Sequence, residues 1–167
     1  MMSQPPPSNP KAVLMATAIR FLALRSRFKA EVITRLAKKA KELGLADPLT
    51  LINQIIASLE RAGFIDDAKN LAGYIRYRLE TKMKGPYWIK SSLLRLGLAK
   101  TDIERSLAEN AGRESQKAVI GRFIDKKLRG KSPDLKTKAK LFRALVSRGF
   151  SSSLVAEAFD ESQLPEV

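Results

Sequence analysis

Three glycines stand in the same apolar frame along this chain. Gly44, Gly97 and Gly149 are 53 and 52 residues apart. Each is followed by an apolar residue: Leu45, Leu98 and Phe150. Four residues before each lie Ala40, Leu93 and Leu145, and eight before lie Leu36, Ile89 and Leu141. Beyond the second and third glycines, Ile103 and Val155 match six residues on, and Leu107 and Phe159 match ten residues on. The first register continues through Leu51 or Ile52 after an insertion of one or two residues. Offsets of four and eight mark one face of a helix. Glycine ends a helix at the least steric cost, because it adopts positive φ readily. The pattern is therefore an internal repeat of helix, helix, glycine turn and helix. A unit of about 50 residues has a marginal core by itself, so neighbouring units must share contacts in an array.

The remaining sequence reads as helix throughout, with no alternating strand pattern. Val13, Leu14, Ala18, Phe21 and Leu22 make a first amphipathic face, capped by Ser8 or Asn9 with Pro10 in its first turn. Val32, Ile33, Leu36, Ala40 and Leu43 make a second. Asp47 caps a third, with Pro48 in its first turn, and Gly63 closes it. Asp66 and Asp67 start a fourth that runs through Leu71, Tyr74, Ile75, Arg78 and Leu79. Gly85-Pro86 separates it from a fifth over Ile89 to Leu96, and Thr101-Asp102 opens a sixth. Val119–Leu128, Leu135–Arg148 and Ser151–Phe159 complete nine helices. The reading is an all-α fold of three tandem three-helix repeats in an elongated, curved array. Its boundaries are 11–62, 63–110 and 111–162, flanked by a disordered Pro-rich tail over 1–10 and a C-terminal tail over 163–167.

Composition removes most chemistries. The chain has no cysteine and no histidine, which excludes disulfides, thiolate zinc sites, Ser-His-Asp and Cys-His nucleophiles and His-bearing metal centres. There is no phosphate-binding glycine loop, no dinucleotide fingerprint and no metal-ligand cluster in the sequence. Asp66-Asp67 reads as a helix cap, Asp125 and Asp134 as local ion pairs among lysines, and Ser151-Ser152-Ser153 as the cap of the last helix. No stretch approaches the roughly 20 apolar residues of a membrane span, and the N-terminus lacks the order of a targeting signal. The expectation is a soluble, cytoplasmic, non-enzymatic protein without a cofactor.

What the composition favours is an anionic partner. The net charge is +14 over 167 residues, above the magnitude of about 2–8 that solubility asks of a small domain. The charge is unevenly placed. Arg113 to Arg148 holds twelve bases against three carboxylates, whereas Gly149 to Val167 holds four carboxylates and no base. Lys126, Lys127, Arg129 and Lys131 form one cluster; Lys136, Lys138, Lys140 and Arg143 form another, with Arg148 at the end of that helix. The middle repeat carries Arg76, Arg78, Lys82, Lys84, Lys90 and Arg95. Such arrays neutralise phosphates. Tyr74 falls in register with the core. Tyr87 and Trp88 flank a helix start, where an aromatic ring stacks on a base or packs between units; packing is favoured for the indole.

Two stretches resemble the RecX family, bacterial modulators of the RecA recombinase. The first is Leu24-Arg25-Ser26-Arg27-Phe28-Lys29-Ala30-Glu31-Val32 followed by Leu36, similar to that family's Arg-x-Arg, Ser-x-x-Glu-Leu opening. The second is Gly63-Phe64-Ile65-Asp66-Asp67, then Ala72, the run Tyr74 to Arg78, Lys84-Gly85-Pro86, Leu93 and Gly97-Leu98. Leu141-Phe142 to Arg148-Gly149-Phe150 is similar to the family's third-unit ending. The likeness covers residues 12–162. Phe28 stands where the family has Ser, so the second helix either loses its cap or takes it from Ser26. Ser92 stands where the family has Glu, and Leu96 where it has a base. The resemblance implies a protein that lies in the groove of a RecA–single-stranded DNA filament and modulates recombinase, ATPase and co-protease activity, with inhibition the favoured direction over stimulation; a monomer is expected. Its partners would be RecA, the filament and the DNA phosphate backbone. The contact residues would be Arg76, Arg78, Lys82, Lys84, Lys90 and Arg95, with Lys126, Lys127, Arg129, Lys136, Lys140 and Arg143. The alternative is a direct DNA-binding repeat protein with helix-turn-helix-like units. Against it, Asn53 and Gln54 lie in an apolar-rich helix with no neighbouring base.

Overall fold

Helix starts are set by polar groups that take the first unpaired N–H donors. The computed structural model describes residues 9–130 and 132–161. Helix α1 (Pro10–Ala23) opens with Asn9, whose side-chain oxygen accepts the Ala12 N–H at 3.0 Å, and with Pro10 in the first turn. Helix α2 (Lys29–Glu42) has no side-chain acceptor at its capping position, because Phe28 stands there, buried. Glu31 reaches back instead and accepts the Phe28 N–H at 3.0 Å. The Lys29 N–H goes to Asp67 at 2.8 Å, at the first residue of helix α4 (Asp67–Arg76). Ser26 supplies no cap; its carbonyl accepts from Arg25. The adjacent aspartates are thus both caps, on different helices, since Asp66 accepts the Lys69 N–H of α4 at 2.9 Å.

Other starts differ from the sequence reading. Helix α3 (Leu49–Arg61) begins after Pro48 with no side-chain cap, so Asp47 does not hold it. Helix α5 (Pro86–Arg95) begins at Pro86 as expected. Helix α6 (Lys100–Asn110) starts without a side-chain cap, and Asp102 pairs with Arg105 instead. Helix α7 (Arg113–Leu128) starts six residues before Val119. Its polar first turns carry no apolar signal, but Arg113 and Lys117 both pair with Glu157 of helix α9 (Ser152–Glu161). Helix α8 (Leu135–Ser147) is capped by Asp134, which accepts the Thr137 N–H at 2.8 Å; Asp134 is a cap rather than an ion-pair partner. Ser151 caps α9 through the Leu154 N–H. The continuation of α4 is a π-helical turn, Tyr77–Thr81, closed by Lys82 N–H to the Tyr77 carbonyl. Nine α-helices and no strand occur among the described residues.

The repeat register has a bond behind it. Gly44, Gly97 and Gly149 adopt φ of 68°, 79° and 94°. In each turn the N–H of the following residue reaches back to the carbonyl of the residue four before the glycine. Leu45 bonds Ala40 at 3.1 Å, Leu98 bonds Leu93 at 3.4 Å, and Phe150 bonds Leu145 at 3.4 Å. The positions matched in sequence are therefore the donor and acceptor of one helix-ending motif. Gly63 closes α3 in the same way, with Phe64 bonded to Leu59.

The chain divides into two compact units, Met1–Asn70 and Leu71–Val167. In the first, α1, α2 and α3 pack around Leu14, Val32, Leu36, Ile52, Ile55 and Ile56. Burying each such side chain contributes about 1.5–3 kcal/mol. In the second, α5 packs on α6 and on the π-turn, and α7 and α8 each pack on α9. Ile75, Leu79, Ile89, Leu93, Ile120 and Leu145 are among its fully buried side chains.

Gly85 and Gly149 lie against each other within this second unit. The Gly85 N–H bonds the Arg148 carbonyl at 2.9 Å, and the Tyr87 N–H bonds the Gly149 carbonyl at 3.1 Å. A methyl group on Gly85 would overlap the Gly149 backbone, and one on Gly149 would overlap the Trp88 backbone. Arg148 closes the joint: its terminal nitrogen bonds the Lys82 and Met83 carbonyls at 3.2 and 3.3 Å, and its guanidinium lies 4.8 Å from the Phe123 ring.

Candidate partner-binding surface

The structure sorts the candidate bases into two kinds. Those of the middle stretch are mostly engaged. Arg76 donates to Asn110 at 2.8 Å. Arg78 stacks between Tyr74 and Trp88, 4.9 and 5.3 Å from the ring centres. Lys84 lies 4.7 Å from the Trp88 ring and Lys82 lies 5.5 Å from Tyr77. Lys90 pairs with Glu104 at 2.5 Å. That hydrogen bond, helped by the Lys90 and Lys100 charges, holds the Glu104 carboxyl below its ordinary value despite some desolvation. Of these six, Arg95 alone is exposed with no partner among the described residues, beside Tyr87 and Leu94 in a shallow surface groove.

The bases of the last third are mostly unengaged. On α7, Lys126 and Lys127 are exposed, and Lys127 leans over Phe123 at 5.9 Å. Arg129 ends the helix in the left-handed region, φ 51°, with its side chain exposed. On α8, Lys136, Lys140 and Arg143 share one exposed face at spacings of four and three. Among the described residues, Arg143 bonds only the Ala139 carbonyl of its own helix. None of these six meets a carboxylate in an ion pair among the described residues. Asp134, the nearest acid to α8, is spent on its cap, and the Thr137 hydroxyl and then its N–H hold that carboxyl below its ordinary value.

Three assignments change. Lys138 is not part of the surface: it is 3% exposed, on the inward face with Leu141 and Leu145. Arg148 is the clamp of the glycine joint rather than the end of a basic face. Asp125 makes no ion pair among the described residues. Lys131 lies outside them, as do residue 162 of the third repeat, 1–8 of the first expected tail and the whole of the second, 163–167; of the first tail, Pro10 is already helical. Sequence reasoning passed over Arg122, exposed four residues before Lys126 and so on its face. It also passed over a groove of about 410 Å³ in the first unit, lined by Val13, Thr17, Phe21 and Leu24 with Arg20, Arg35 and Lys39. Helical spacing from Lys126 would have found the first. The second needs the packing of α1 on α2. Trp88, favoured as a packing residue, is half-buried with its backbone against Gly149. Tyr74 is half-buried, and its hydroxyl bonds Ser92 at 3.0 Å.

Tandem helical units closed by one kind of left-handed glycine turn make this a helical-repeat protein. The family model described as "RecX, third three-helix domain" matches residues 118–159. The "Regulatory protein RecX" of Bacillus cytotoxicus is 33% identical over 146 residues, 86% of this chain and 52% of that protein. That of Geobacillus thermodenitrificans is 32% identical over 142 residues, 83% of this chain and 50% of that protein. The crystal structure of RecX from Lactobacillus salivarius superposes with a TM-score of 0.70 at 22% identity, covering 93% of this chain and 98% of that one. The chain belongs to the RecX family. It spans about half the length of the curated relatives it matches. No helix among the described residues is long and apolar enough to cross a membrane.

Proposed function

We propose that this chain is a non-enzymatic regulator of RecA that binds the RecA–single-stranded DNA filament and restrains its recombinase, ATPase and co-protease activity. The observation that carries the reading is the exposed basic surface of α7 and α8. Arg122, Lys126, Lys127, Arg129, Lys136, Lys140 and Arg143 carry no carboxylate partner among the described residues, in a chain of the RecX family. Unpaired surface cations attract a polyanion at long range. A repeat register of 11–62, 63–110 and 111–162 suits a partner that is itself a repeating lattice, where weak contacts add as multivalent binding. Arg76, Lys82, Lys90 and Arg95 contribute less, because most are committed to partners within the chain.

The test is binding to pre-assembled filaments across a salt series, with free single strand, free duplex and free RecA beside them. Tighter binding to the filament than to any component, with slower ATP turnover and strand exchange, is the expected result. Equal binding to naked DNA with no effect on the filament would overturn it and leave a DNA-binding repeat protein.

A further inference from the structure

The first unit carries a surface that neither group of candidate bases accounts for. Its groove of about 410 Å³ lies where α1 packs on α2. On the α1 side, Val13, Phe21 and Leu24 fall at offsets of eight and three, which is one stripe of a helix. Thr17 stands in the same stripe with its hydroxyl spent on the Val13 carbonyl at 2.8 Å, so it offers the groove no free proton. Leu24 is 77% exposed. Beside this apolar stripe stand three cations: Arg20 on α1, and Arg35 and Lys39 one turn apart on α2.

The charges of the groove are unanswered within the unit. No carboxylate lines it among the described residues. Glu31 is held by Arg25, Arg27 and the Phe28 N–H, and Glu42 is held by Lys39. Arg20 and Arg35 are exposed and meet no carboxylate among the described residues. Arg20 gives only its Nε, to the Ala16 carbonyl of its own helix at 3.3 Å. Two guanidinium forks beside an exposed aliphatic stripe select an occupant that is both anionic and apolar. A nucleic-acid strand matches poorly. Phe21 is the only aromatic lining the groove among the described residues; it packs on the core and carries the Arg27 guanidinium 4.0 Å from its ring centre. No open ring is left for a base to stack on, and Val13 and Leu24 offer a phosphate nothing.

We infer that this groove docks an acidic amphipathic helix of a partner protein, its apolar row laid on Val13, Phe21 and Leu24 and its carboxylates paired with Arg20 and Arg35. A helix carries an apolar row and a carboxylate row side by side at three- and four-residue spacing, the period shared by the stripe on α1 and the Arg35–Lys39 pair on α2. From Val13 to Leu24 the stripe rises about 16 Å at 1.5 Å per residue, so the docked segment is about three turns long. Lys39, already paired with Glu42, adds to the field rather than to the contacts. The inference goes beyond the regulator reading, which places the anion-binding work on α7 and α8, and its test does not use the filament.

The probe is a labelled synthetic helix of sixteen residues with leucines in one row and glutamates in the next. Beside it stand a scrambled peptide of the same composition, the same helix with lysine for glutamate, a labelled oligothymidylate and vesicles of phosphatidylglycerol. Fluorescence anisotropy follows the peptides and the strand on the full chain, and co-sedimentation follows the vesicles. A net charge of +14 gives every anion some affinity, so the quantity that decides is the difference between the amphipathic and the scrambled peptide. The amphipathic helix should bind about tenfold more tightly. Leu24→Ser changes an exposed side chain, should leave the melting temperature in place, and should remove that difference while the oligothymidylate keeps its affinity. Arg20→Glu with Arg35→Glu should weaken the glutamate helix about tenfold or more and strengthen the lysine helix. Equal affinity for the amphipathic and scrambled peptides overturns the inference, as does a preference that survives Leu24→Ser. A Leu24→Ser loss confined to the oligothymidylate or to the vesicles would overturn it too and give the groove to a strand or a lipid surface. So would a dimer that Leu24→Ser abolishes in a chain that binds no peptide.

Discussion

The middle stretch and the last third of the chain each offer six candidate bases, yet they do different work. Between Arg76 and Lys90, five bases meet Asn110, Glu104 or an aromatic ring. Between Lys126 and Arg143, the six are exposed and none meets a carboxylate in an ion pair among the described residues. A charge count cannot separate these cases. A base with an internal partner contributes to stability, and the remainder sets the field that a polyanion meets. The comparison assigns rigidity to the middle and long-range attraction to the last third.

The strongest way to break that division is to reverse the last third. Exchanging Arg122, Lys126, Lys140 and Arg143 for glutamate should lower filament affinity about 100-fold or more at physiological salt. The urea midpoint should hardly move, since surface changes away from special features stay within about 0.5 kcal/mol. Titrations at several salt concentrations, with unfolding of the same variant, check both halves. Retained affinity would end the assignment.

The next effect sharpens the role of the joint. Gly149→Ala combines positive φ with overlap on the Trp88 backbone, and should cost about 2–4 kcal/mol. Gly97→Ala carries the same kind of φ with nothing within reach, and should cost only about 1 kcal/mol. Urea unfolding of the pair measures the difference, and equal losses would mean the close approach carries no energy.

A third comparison sets two arginines of the last third against each other. Arg148→Gln removes donors from the Lys82 and Met83 carbonyls and should destabilise by about 1–2 kcal/mol. Arg143→Gln should change stability little but weaken the filament. The opposite pattern would exchange their roles.

The smallest effect is on the acid limb. Glu104 and Asp134 both have carboxyls held below their ordinary values. Each contributes stability that is present above its unfolded-state pKa, near 4, and is lost as pH falls through the lower folded value. Unfolding followed from pH 6 downward should show that loss, and Glu104→Gln or Asp134→Asn should each make it shallower. Both groups are exposed, so the effects should be small and reduced by salt.

Much of this was legible beforehand. The register of Gly44, Gly97 and Gly149 marked real helix ends, because a left-handed turn and its back-reaching hydrogen bond both depend on local sequence. Asn9, Pro10 and Ser151 were equally readable as caps. The second helix was not: Phe28 cannot accept a bond, and Asp67, 38 residues away from Lys29, completes the start. Lys138 shows the same limit from the other side, since a lysine among lysines reads as surface until its helix face is known.

The sequence by itself determined the helices, their glycine ends, the all-α class and the sign of the surface, because these depend on spacing of about 3.6 residues, on local φ and on composition. Tertiary structure alone decided which bases are consumed and which are left. It brought Gly85 against Gly149, turned Arg148 into a clamp and placed Arg78 and Lys84 on Trp88. These pairings join residues 4 to 66 positions apart, and a period along one helix carries no information about what meets its far side.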